Sequence, residues 1–356
     1  MLKQRNAVLK KTLQESGVDG ILITDINNIQ YLSGFTGSSG CLIITNNRSI
    51  FVTDFRYKEQ AKREIKGFKI RIESKDRIDF IKRIVEENKI RKLGFEDHSL
   101  NFRTYKRLKE KRIKLKALTD TVESLRLIKS QEEITNIKRA VKRAENAFRR
   151  LPPFIKVGIT EQKLAIRLEG LLKEEGCKKI PFGVIVTAGS MSAFPHAKPT
   201  NRQIKKGDFI LFDWGGEYEG YYSDMTRMLA VKGRHLTKQL EIYSIVYDAQ
   251  RRAVEAVRAG VKAKAIDSAA RDLIKQKGYG DYFGHGTGHG VGLAVHEAPV
   301  ISGQSEDIIE EGMVFTIEPG IYLPGIGGVR IEDMVCVRRN GAEVLTTLRR
   351  TLKVIG

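Results

Sequence analysis

Two short stretches of the sequence share one pattern, and this pattern decides the fold of the second part of the chain. Residues 206–213 read KGDFILFD, and residues 311–318 read EGMVFTIE. In each stretch a charged residue and a glycine precede an apolar strand, and an acid stands at its end. A glycine-containing connection and a second strand with acids follow each one. The repeat predicts two related half-domains that face one site.

The second strands of the repeat do not by themselves show whether residue 332 or residue 333 belongs to the site. Residues 221–225 read YYSDM, and residues 329–334 read VRIEDM. Aligning the shared Asp-Met steps pairs Asp224 with Asp333. Neighbouring residues of a strand point to opposite faces, so Glu332 and Asp333 cannot both face the site. The repeat alone does not decide between them.

Acids at the ends of these apolar strands indicate a metal site. Asp213 follows FILF, and Glu318 follows MVFTI. A buried carboxylate is costly unless it is paired or coordinates a metal. Salt bridges to Lys or Arg side chains could satisfy one or two such acids, whereas a cluster of four fits a metal site better.

Three of the six histidines lie in one glycine-rich segment. Residues 284–297 read GHGTGHGVGLAVHE and contain His285, His289 and His296. His285 and His289 have a helical ligand spacing, but glycine at every second position opposes a helix. The segment contains neither the HExxH zinc motif nor the GxxxxGK[ST] phosphate loop. The glycines would let backbone and substrate approach closely, and three histidines in one such segment favour a functional site over a loop with incidental histidines.

The chain is long enough for two domains, since it has 356 residues and a domain typically takes about 100–200. Residues 1–125 alternate helix-like and strand-like segments, which is typical of an α/β domain. Residues 130–133 read SQEE, a capping box that begins an amphipathic helix, and Pro152-Pro153 ends it. We therefore predict an α/β domain over residues 1–125 and a second, α+β domain with the internal repeat over residues 126–356.

The composition argues against a disordered, a disulfide-rich or a membrane-spanning protein. Hydrophobic residues make up 41% and charged residues 30%, which is a globular balance. Cys41, Cys177 and Cys336 lie far apart and form neither a disulfide framework nor a zinc motif. The first residues carry charges where a signal peptide is apolar, and no apolar run reaches about 18 residues. We expect a cytoplasmic protein without a membrane-spanning segment.

The formal net charge of +20 raises the question of nucleic-acid binding. The densest basic run is residues 106–116, which read KRLKEKRIKLK. A basic patch can bind nucleic acid through phosphate contacts. No RNP, KH, zinc-finger or helix-turn-helix pattern accompanies the run. We expect a solvated, lysine-rich surface and no nucleic-acid partner, with nucleic-acid binding kept as an alternative.

The site segments resemble those of the creatinase, aminopeptidase P and prolidase peptidases, in order and in spacing. These segments are FDWGG (212–216), YYSDMTR (221–227), the histidine segment (284–297), TIEPG (316–320) and VRIED (329–333). YLSGFTGSSG (31–40) and FVTDFRY (51–57) are similar to segments of the Xaa-Pro members. The resemblance covers nearly the whole chain. It implies a creatinase-like N-terminal domain followed by a catalytic domain with the duplicated pita-bread fold and its pseudo-twofold repeat.

The resemblance also implies five metal ligands, and the sequence has no substitution among them. By position they are Asp213, Asp224, His289, Glu318 and Glu332. The family pattern thus selects Glu332 over its neighbour. Four facing carboxylates would repel one another, and two divalent cations would neutralise them. Oxygen ligands with one imidazole favour Mn²⁺, Co²⁺, Fe²⁺ or Zn²⁺, of which we expect Mn²⁺ first.

The resemblance assigns further roles within the site. Glu318 would take a proton from the attacking water, and His196 and His296 would hydrogen-bond the transition state and shuttle protons. His285 and Arg330 lie in site segments, so we place them near the substrate. Arg330 has an equal alternative as a charge partner of the metal carboxylates. Finally, His98 and His235 stand in polar, charged stretches and are expected at the surface.

The resulting hypothesis is a dinuclear metallopeptidase that cleaves the bond before proline in peptide substrates. An Xaa-Pro aminopeptidase is favoured, and a prolidase restricted to Xaa-Pro dipeptides stays open. Methionine aminopeptidases generally lack a domain like residues 1–125, and creatinase lacks the metal ligands. No Gly-x-Ser-x-Gly motif supports a serine nucleophile. A pita-bread protein that only binds nucleic acid is the more remote alternative, and a homodimer is expected from the resemblance.

Overall fold

A computed structural model describes residues 2–74, 76–109, 113–234 and 237–356. The surface position expected for His235 and residues 110–112 of the basic run therefore lie outside the described residues. The chain divides into two compact units, Met1–Arg126 and Leu127–Gly356. No helix in the described ranges is long and apolar enough to cross a membrane.

The first unit is built around one mixed sheet. Its elements are α1 (Leu2–Glu15), β1 (Gly20–Ile23), α2 (Ile26–Ser33), β2 (Cys41–Thr45), β3 (Ser49–Thr53), α3 (Lys58–Glu64), β4 (Lys69–Ile72), α4 (Arg77–Glu87), β5 (Lys92–Glu96), α5 (Phe102–Leu108), β6 (Lys114–Leu118) and α6 (Glu123–Leu127). The strands lie in the order β4-β3-β2-β1-β5-β6. The pairs β1/β2 and β2/β3 are antiparallel, and the other three are parallel.

The second unit contains four of the helices and the remaining strands. Its elements are α7 (Gln131–Arg149), α8 (Glu161–Glu174), β7 (Ile185–Ala188), β8 (Phe209–Trp214), β9 (Glu217–Tyr218), β10 (Tyr221–Tyr222), β11 (Met225–Val231), α9 (Thr237–Ala256), α10 (Ala263–Gln276), β12 (Gly288–Gly290), β13 (Glu297–Ile301), β14 (Val314–Ile317), β15 (Gly320–Leu323), β16 (Gly327–Arg330), β17 (Asp333–Arg338), β18 (Gly341–Val344) and β19 (Lys353–Ile355).

The two halves of the predicted repeat form two sheets of the second unit. One has the strand order β19-β11-β8-β7, and the other has the order β13-β12-β14-β17-β18. In each sheet the two repeat strands are antiparallel neighbours, β8 with β11 and β14 with β17. A backbone hydrogen bond of 3.3 Å from Glu332 N to Thr226 O joins the halves. The predicted mixed α/β class with an internal repeat is confirmed.

Helix α7 has the predicted capping box and packs on the first half of the repeat. The Ser130 side chain accepts a hydrogen bond from Glu133 N, and the Glu133 carboxylate accepts one from Ser130 N at 3.0 Å. Further along, the Phe148 ring stacks on Trp214 with a centroid distance of 4.2 Å. The indole N–H of Trp214 donates to Ala144 O at 3.0 Å. These contacts fix the end of β8, the strand that carries the first acid of the site.

Candidate metal centre

All nine residues that the sequence singles out line one cavity of the second unit, which has a volume of about 670 Å³. They are Asp213, Asp224, His289, Glu318, Glu332, His196, His285, His296 and Arg330. They come from both halves of the repeat, and most of them lie at or just beyond the ends of strands. The pairing of those strands therefore brings together residues that are far apart in the sequence.

The structure decides between the two neighbouring acids that the repeat left open. Glu332 lines the cavity, whereas the buried carboxylate of Asp333 takes part in a separate network. It accepts hydrogen bonds from Arg227 Nη2 at 2.5 Å and from Gln250 Nε2 at 2.7 Å. The Thr346 hydroxyl donates to the same carboxylate. Glu332 is thus the acid of this strand that is available to the cavity.

The geometry of the acids fits a cation. Single ligand atoms of Asp224, His289 and Glu332 all lie within 4.8 Å of one another. His289 Nε2 is 3.7 Å from Asp224 Oδ2 and 3.4 Å from Glu318 Oε1. Asp213 Oδ1 and Asp224 Oδ1 are buried and have no hydrogen-bond partner among the described residues. A buried carboxylate oxygen without a donor is costly, and a metal ion would satisfy both oxygens.

The negative charges of the cavity's acids repel one another, so each acid makes ionisation of its neighbours less favourable. Burial, followed by the negative charges of Glu332 and Asp213, raises the pKa of Asp224 well above its usual value. Burial and the charge of Glu318 do the same to the pKa of Glu332. Burial also raises the pKa of Glu318 to about 7, although the Arg330 guanidinium opposes the rise. Divalent cations would favour the ionised form of all these acids.

Arg330 is buried and holds two of the acids in place. Its Nη2 donates to Asp213 Oδ2 at 2.5 Å, and its Nε donates to Thr226 Oγ1 at 3.0 Å. The Thr226 hydroxyl in turn donates to Glu332 Oε2 at 2.7 Å. Arg330 therefore lines the cavity and is the charge partner of Asp213, and its place near the substrate stays a prediction.

Tyr322, which the sequence patterns do not single out, connects two of the predicted residues. Its hydroxyl accepts a hydrogen bond from Arg330 Nη1 at 2.9 Å and lies 2.9 Å from His285 Nε2. Tyr322 stands opposite Gly328 in the β15–β16 hairpin, where a Cβ on the glycine would lie 2.7 Å from the tyrosine ring. The glycines that follow Tyr322 in the sequence are the feature that could have indicated it, because they leave room for a large side chain in this hairpin.

The ring nitrogens of the histidines are assigned by their neighbours. His289 Nδ1 lies 3.1 Å from Gly290 O, which makes it the protonated nitrogen and leaves Nε2 with a lone pair toward the acids. Burial lowers the pKa of His289, which favours this neutral form. The His296 ring lies 4.3 Å from the His289 ring, centroid to centroid. His196 is exposed, at the mouth of the cavity.

Part of the glycine-rich segment is a short strand. Gly288–Gly290 form strand β12, between β13 and β14. A Cβ at Gly288 would lie 1.9 Å from Thr316 O, and one at Gly290 would lie 2.1 Å from Ala298 O. The alternate glycines thus follow the two-residue period of a strand and allow close backbone contact on both sides. The expected close approach of the backbone is therefore present at Gly288 and Gly290, and the approach of a substrate stays a prediction.

Two buried acids outside the cavity hold segments that carry its histidines. Asp267 in α10 accepts hydrogen bonds from the backbone and the hydroxyl of Thr287, and it pairs with Arg271 at 2.7 Å. Arg271 also donates to His285 O at 2.7 Å. Glu161 in α8 does the same on both sides of His196, since it accepts from Ala188 N at 2.8 Å and from the Thr200 hydroxyl at 2.7 Å. Both acids are structural.

A second group of possible ligands lies in the first unit. Single ligand atoms of Glu96, His98 and Glu123 lie within 4.8 Å of one another. The buried Glu96 carboxylate accepts hydrogen bonds from the backbone of Thr24 and Asp25, at 2.7 and 2.9 Å. The Glu96 carboxylate therefore already has hydrogen-bond donors in the chain just before α2, and it does not need a cation. His98 is exposed, as predicted.

Both parts of the chain match known protein families. Residues 135–339 match the model of metallopeptidase family M24. Residues 5–128 match the creatinase/prolidase N-terminal domain.

Similar proteins cover nearly the whole chain. An Xaa-Pro dipeptidase of Pyrococcus furiosus is 41% identical over 99% of this chain and 100% of its own. The solved structure of an Xaa-Pro dipeptidase from Bacillus anthracis has a TM-score of 0.96 at 41% identity and covers both chains fully. That of an X-Pro aminopeptidase from Thermotoga maritima has a TM-score of 0.91 at 39% identity, over 98% of this chain and 99% of its own.

Proposed function

Because the chain belongs to metallopeptidase family M24, we propose that it hydrolyses the Xaa-Pro bond at the N-terminus of peptides, with two divalent metal ions. The observation that carries this proposal is the cluster of four acids and one histidine in a single cavity. Two of its buried carboxylate oxygens have no other partner in the described part of the chain. The similar proteins named Xaa-Pro dipeptidase and X-Pro aminopeptidase support the choice of substrate.

The five donors would share the two ions. Asp213, Asp224, His289, Glu318 and Glu332 would hold these ions through their side-chain oxygen and nitrogen atoms. Four carboxylates carry the charge that two divalent cations neutralise. Mn²⁺ fits a donor set of oxygen with one imidazole, and Co²⁺, Zn²⁺ and Fe²⁺ remain chemically acceptable. When bound, the ions would lower the pKa of a water molecule and polarise the scissile carbonyl.

The side chains of the cavity would move the protons of the reaction. Glu318 accepts the proton of the attacking water and returns it to the proline nitrogen as the bond breaks. Its carboxylate is held for this by the Thr316 hydroxyl, which donates to Glu318 Oε1 at 3.0 Å. His196 and His296 hydrogen-bond the developing charge on the carbonyl oxygen and shuttle protons.

His285 and Arg330 support these groups. Arg330 orients Asp213 through the direct hydrogen bond and orients Glu332 through Thr226. His285 faces the cavity and is fixed by Tyr322, so we place it beside the substrate. Burial lowers its pKa to about 4, which keeps the ring neutral at pH 7.

The cations of the cavity support an aminopeptidase over a dipeptidase. A dipeptidase must bind the carboxylate that follows its proline. Arg330 already donates to Asp213 and Tyr322, so most of its donors are used. Lys198 is the only other Lys or Arg among the described residues that line the cavity, and it is exposed. A longer peptide does not need such a cation. A prolidase remains the second candidate because several similar proteins have that activity in their names.

A comparison of two substrates tests this choice. The purified protein, loaded with Mn²⁺, is given Lys-Pro and Arg-Pro-Pro at equal concentrations, and the released first residue is measured. We expect Arg-Pro-Pro to be cleaved with the higher kcat/KM. Cleavage of the dipeptide alone would make the protein a prolidase. No cleavage of either peptide would refute the proposed function.

The remaining proposals concern partners and location. We propose a homodimer, to be checked by light scattering during gel filtration, and a cytoplasmic location. The five donors are all retained, which argues against a protein that only binds nucleic acid. Little binding to random DNA or RNA is the expected result at physiological salt, whereas tight, salt-sensitive binding that persists in Asp213→Ala would favour the binding alternative.

A further inference from the structure

A buried ion pair of the second unit lies beside the histidine segment. The Lys129 ammonium is 2.8 Å from Glu297 Oε1, and the two side chains are 1% and 11% exposed. The ammonium also donates to Leu127 O at 3.2 Å. A surface ion pair contributes little, whereas a buried lysine is tolerated only with its partners in place. The geometry of this pair is therefore strongly constrained.

The lysine is attached to a rigid part of the domain. Its backbone N–H donates to Gly312 O at 2.9 Å. The next residue, Ser130, is the N-cap of α7. Lys129 thus has both its backbone and its side chain fixed.

The glutamate is attached to the turn that carries His296. Glu297 directly follows this histidine and begins β13. Its Oε2 accepts a hydrogen bond from Ala294 N at 3.4 Å, and Gly292 N donates to Ala294 O at 2.9 Å. A Cβ at Gly292 would lie 2.3 Å from Glu297 Oε1. The carboxylate therefore lies inside the turn of residues 292–297, and the glycine makes room for it.

The far end of the same turn is tied to the first half of the repeat. Tyr222 N donates to Gly292 O at 2.8 Å, two residues before Asp224. Between these attachments, the His296 ring lies against the His289 ring. The position of the His296 ring thus depends on how the turn is held at Glu297.

We propose that Lys129 is a positioning residue for His296. The ammonium fixes the Glu297 carboxylate, the carboxylate fixes the turn, and the turn directs the imidazole toward the cavity. The proposal rests on the proposed function, in which His296 hydrogen-bonds the transition state. Lys129 itself does not touch the substrate.

The first test replaces Lys129 by methionine, which keeps most of the length of the side chain and removes its charge. We expect kcat for Arg-Pro-Pro to fall about 10- to 100-fold with little change in KM, because a small displacement of a group that acts in the transition state costs rate. Lys138→Met is the matched control, since Lys138 pairs with Glu343 at the surface and should leave kcat unchanged.

Two double variants separate positioning from a loss of stability. Lys129→Met combined with His296→Ala should lose no more kcat than His296→Ala alone, because both changes remove the same interaction. Lys129→Met combined with Glu297→Met removes the unpaired buried charge and should regain Tm, yet stay slow. Additive losses, or a kcat that recovers together with Tm, would overturn the proposal.

A readout without turnover keeps this inference apart from the proposed function. The protein has six histidines, so selective ¹³C labelling resolves them in a spectrum of the full-length chain. Lys129→Met should shift the His296 signal, whereas Lys138→Met should not. An unchanged His296 signal would overturn the positioning role even if the protein cleaved no Xaa-Pro peptide. Failure to cleave any such peptide, with the shift present, would refute only the proposed function.

Discussion

The stability of the metal-free protein should depend on pH through Glu318. Burial raises the pKa of this carboxyl from 4.5 to about 7. The folded state thus binds the proton more tightly than the unfolded state does. The stabilisation is complete below the unfolded pKa of about 4.5, and it is lost as the pH rises through about 7.

The size of the effect follows from the same values. One pKa unit corresponds to about 1.4 kcal/mol, so the rise from 4.5 to about 7 is worth about 3 kcal/mol of unfolding free energy. In a domain of this size, that corresponds to about 6–12 °C in Tm. The pKa values of Asp224 and Glu332 are raised as well, and they change the stability in the same direction.

The assay compares metal-free wild type with Glu318→Gln at pH 5 and pH 8 by thermal unfolding. Glutamine can still accept the hydrogen bond from the Thr316 hydroxyl, so the variant should fold. From pH 5 to pH 8 the Tm of the wild type should fall by about 6–12 °C more than the Tm of the variant. Saturating Mn²⁺ should remove most of this loss, because cations favour the ionised acids. Equal losses in the two metal-free proteins would refute the electrostatic reasoning.

Three further predictions concern single residues. Asp224→Asn should lower kcat/KM for Arg-Pro-Pro about 100-fold or more with an unchanged circular dichroism spectrum, and wild-type turnover would show that the wrong acid was chosen. Asp267→Asn removes the buried carboxylate that pairs with Arg271 and should cost about 1–3 kcal/mol in urea unfolding, whereas an unaltered midpoint would contradict its anchoring role. Gly288→Ala places a Cβ 1.9 Å from Thr316 O and should lower Tm. The control Gly170→Ala has open space around the new Cβ and should not lower Tm. A Gly288→Ala protein with the wild-type Tm would contradict the close backbone contact.

The residues of the cavity could be predicted because their signal is local. An acid that ends an apolar strand, as at Asp213 and Glu318, is unusual enough to notice without knowing its neighbours. The resemblance then supplied the order and spacing of the remaining residues. The choice of Glu332 needed that pattern, since strand alternation alone shows only that the two neighbouring acids diverge.

The supporting contacts could not be predicted, because they depend on packing between distant segments. Nothing near Lys129 in the sequence indicates that Glu297 is its partner. Tyr322 connects His285 to Arg330 only because of the register of a hairpin. Likewise, the strand at His289 becomes visible only when β13 and β14 lie on both sides of it. Such contacts follow from the tertiary structure and carry no pattern of their own.

Counting the bound metal tests the centre itself. The purified chain is stripped with a chelator, dialysed against Mn²⁺, and analysed by elemental mass spectrometry beside the doubly substituted Asp224→Asn, Glu332→Gln protein. Two ions per wild-type chain, and their loss from the variant, are the predicted result. A wild-type chain that retains no manganese, or a variant that retains as much as the wild type, would mean that these acids do not form a dinuclear centre.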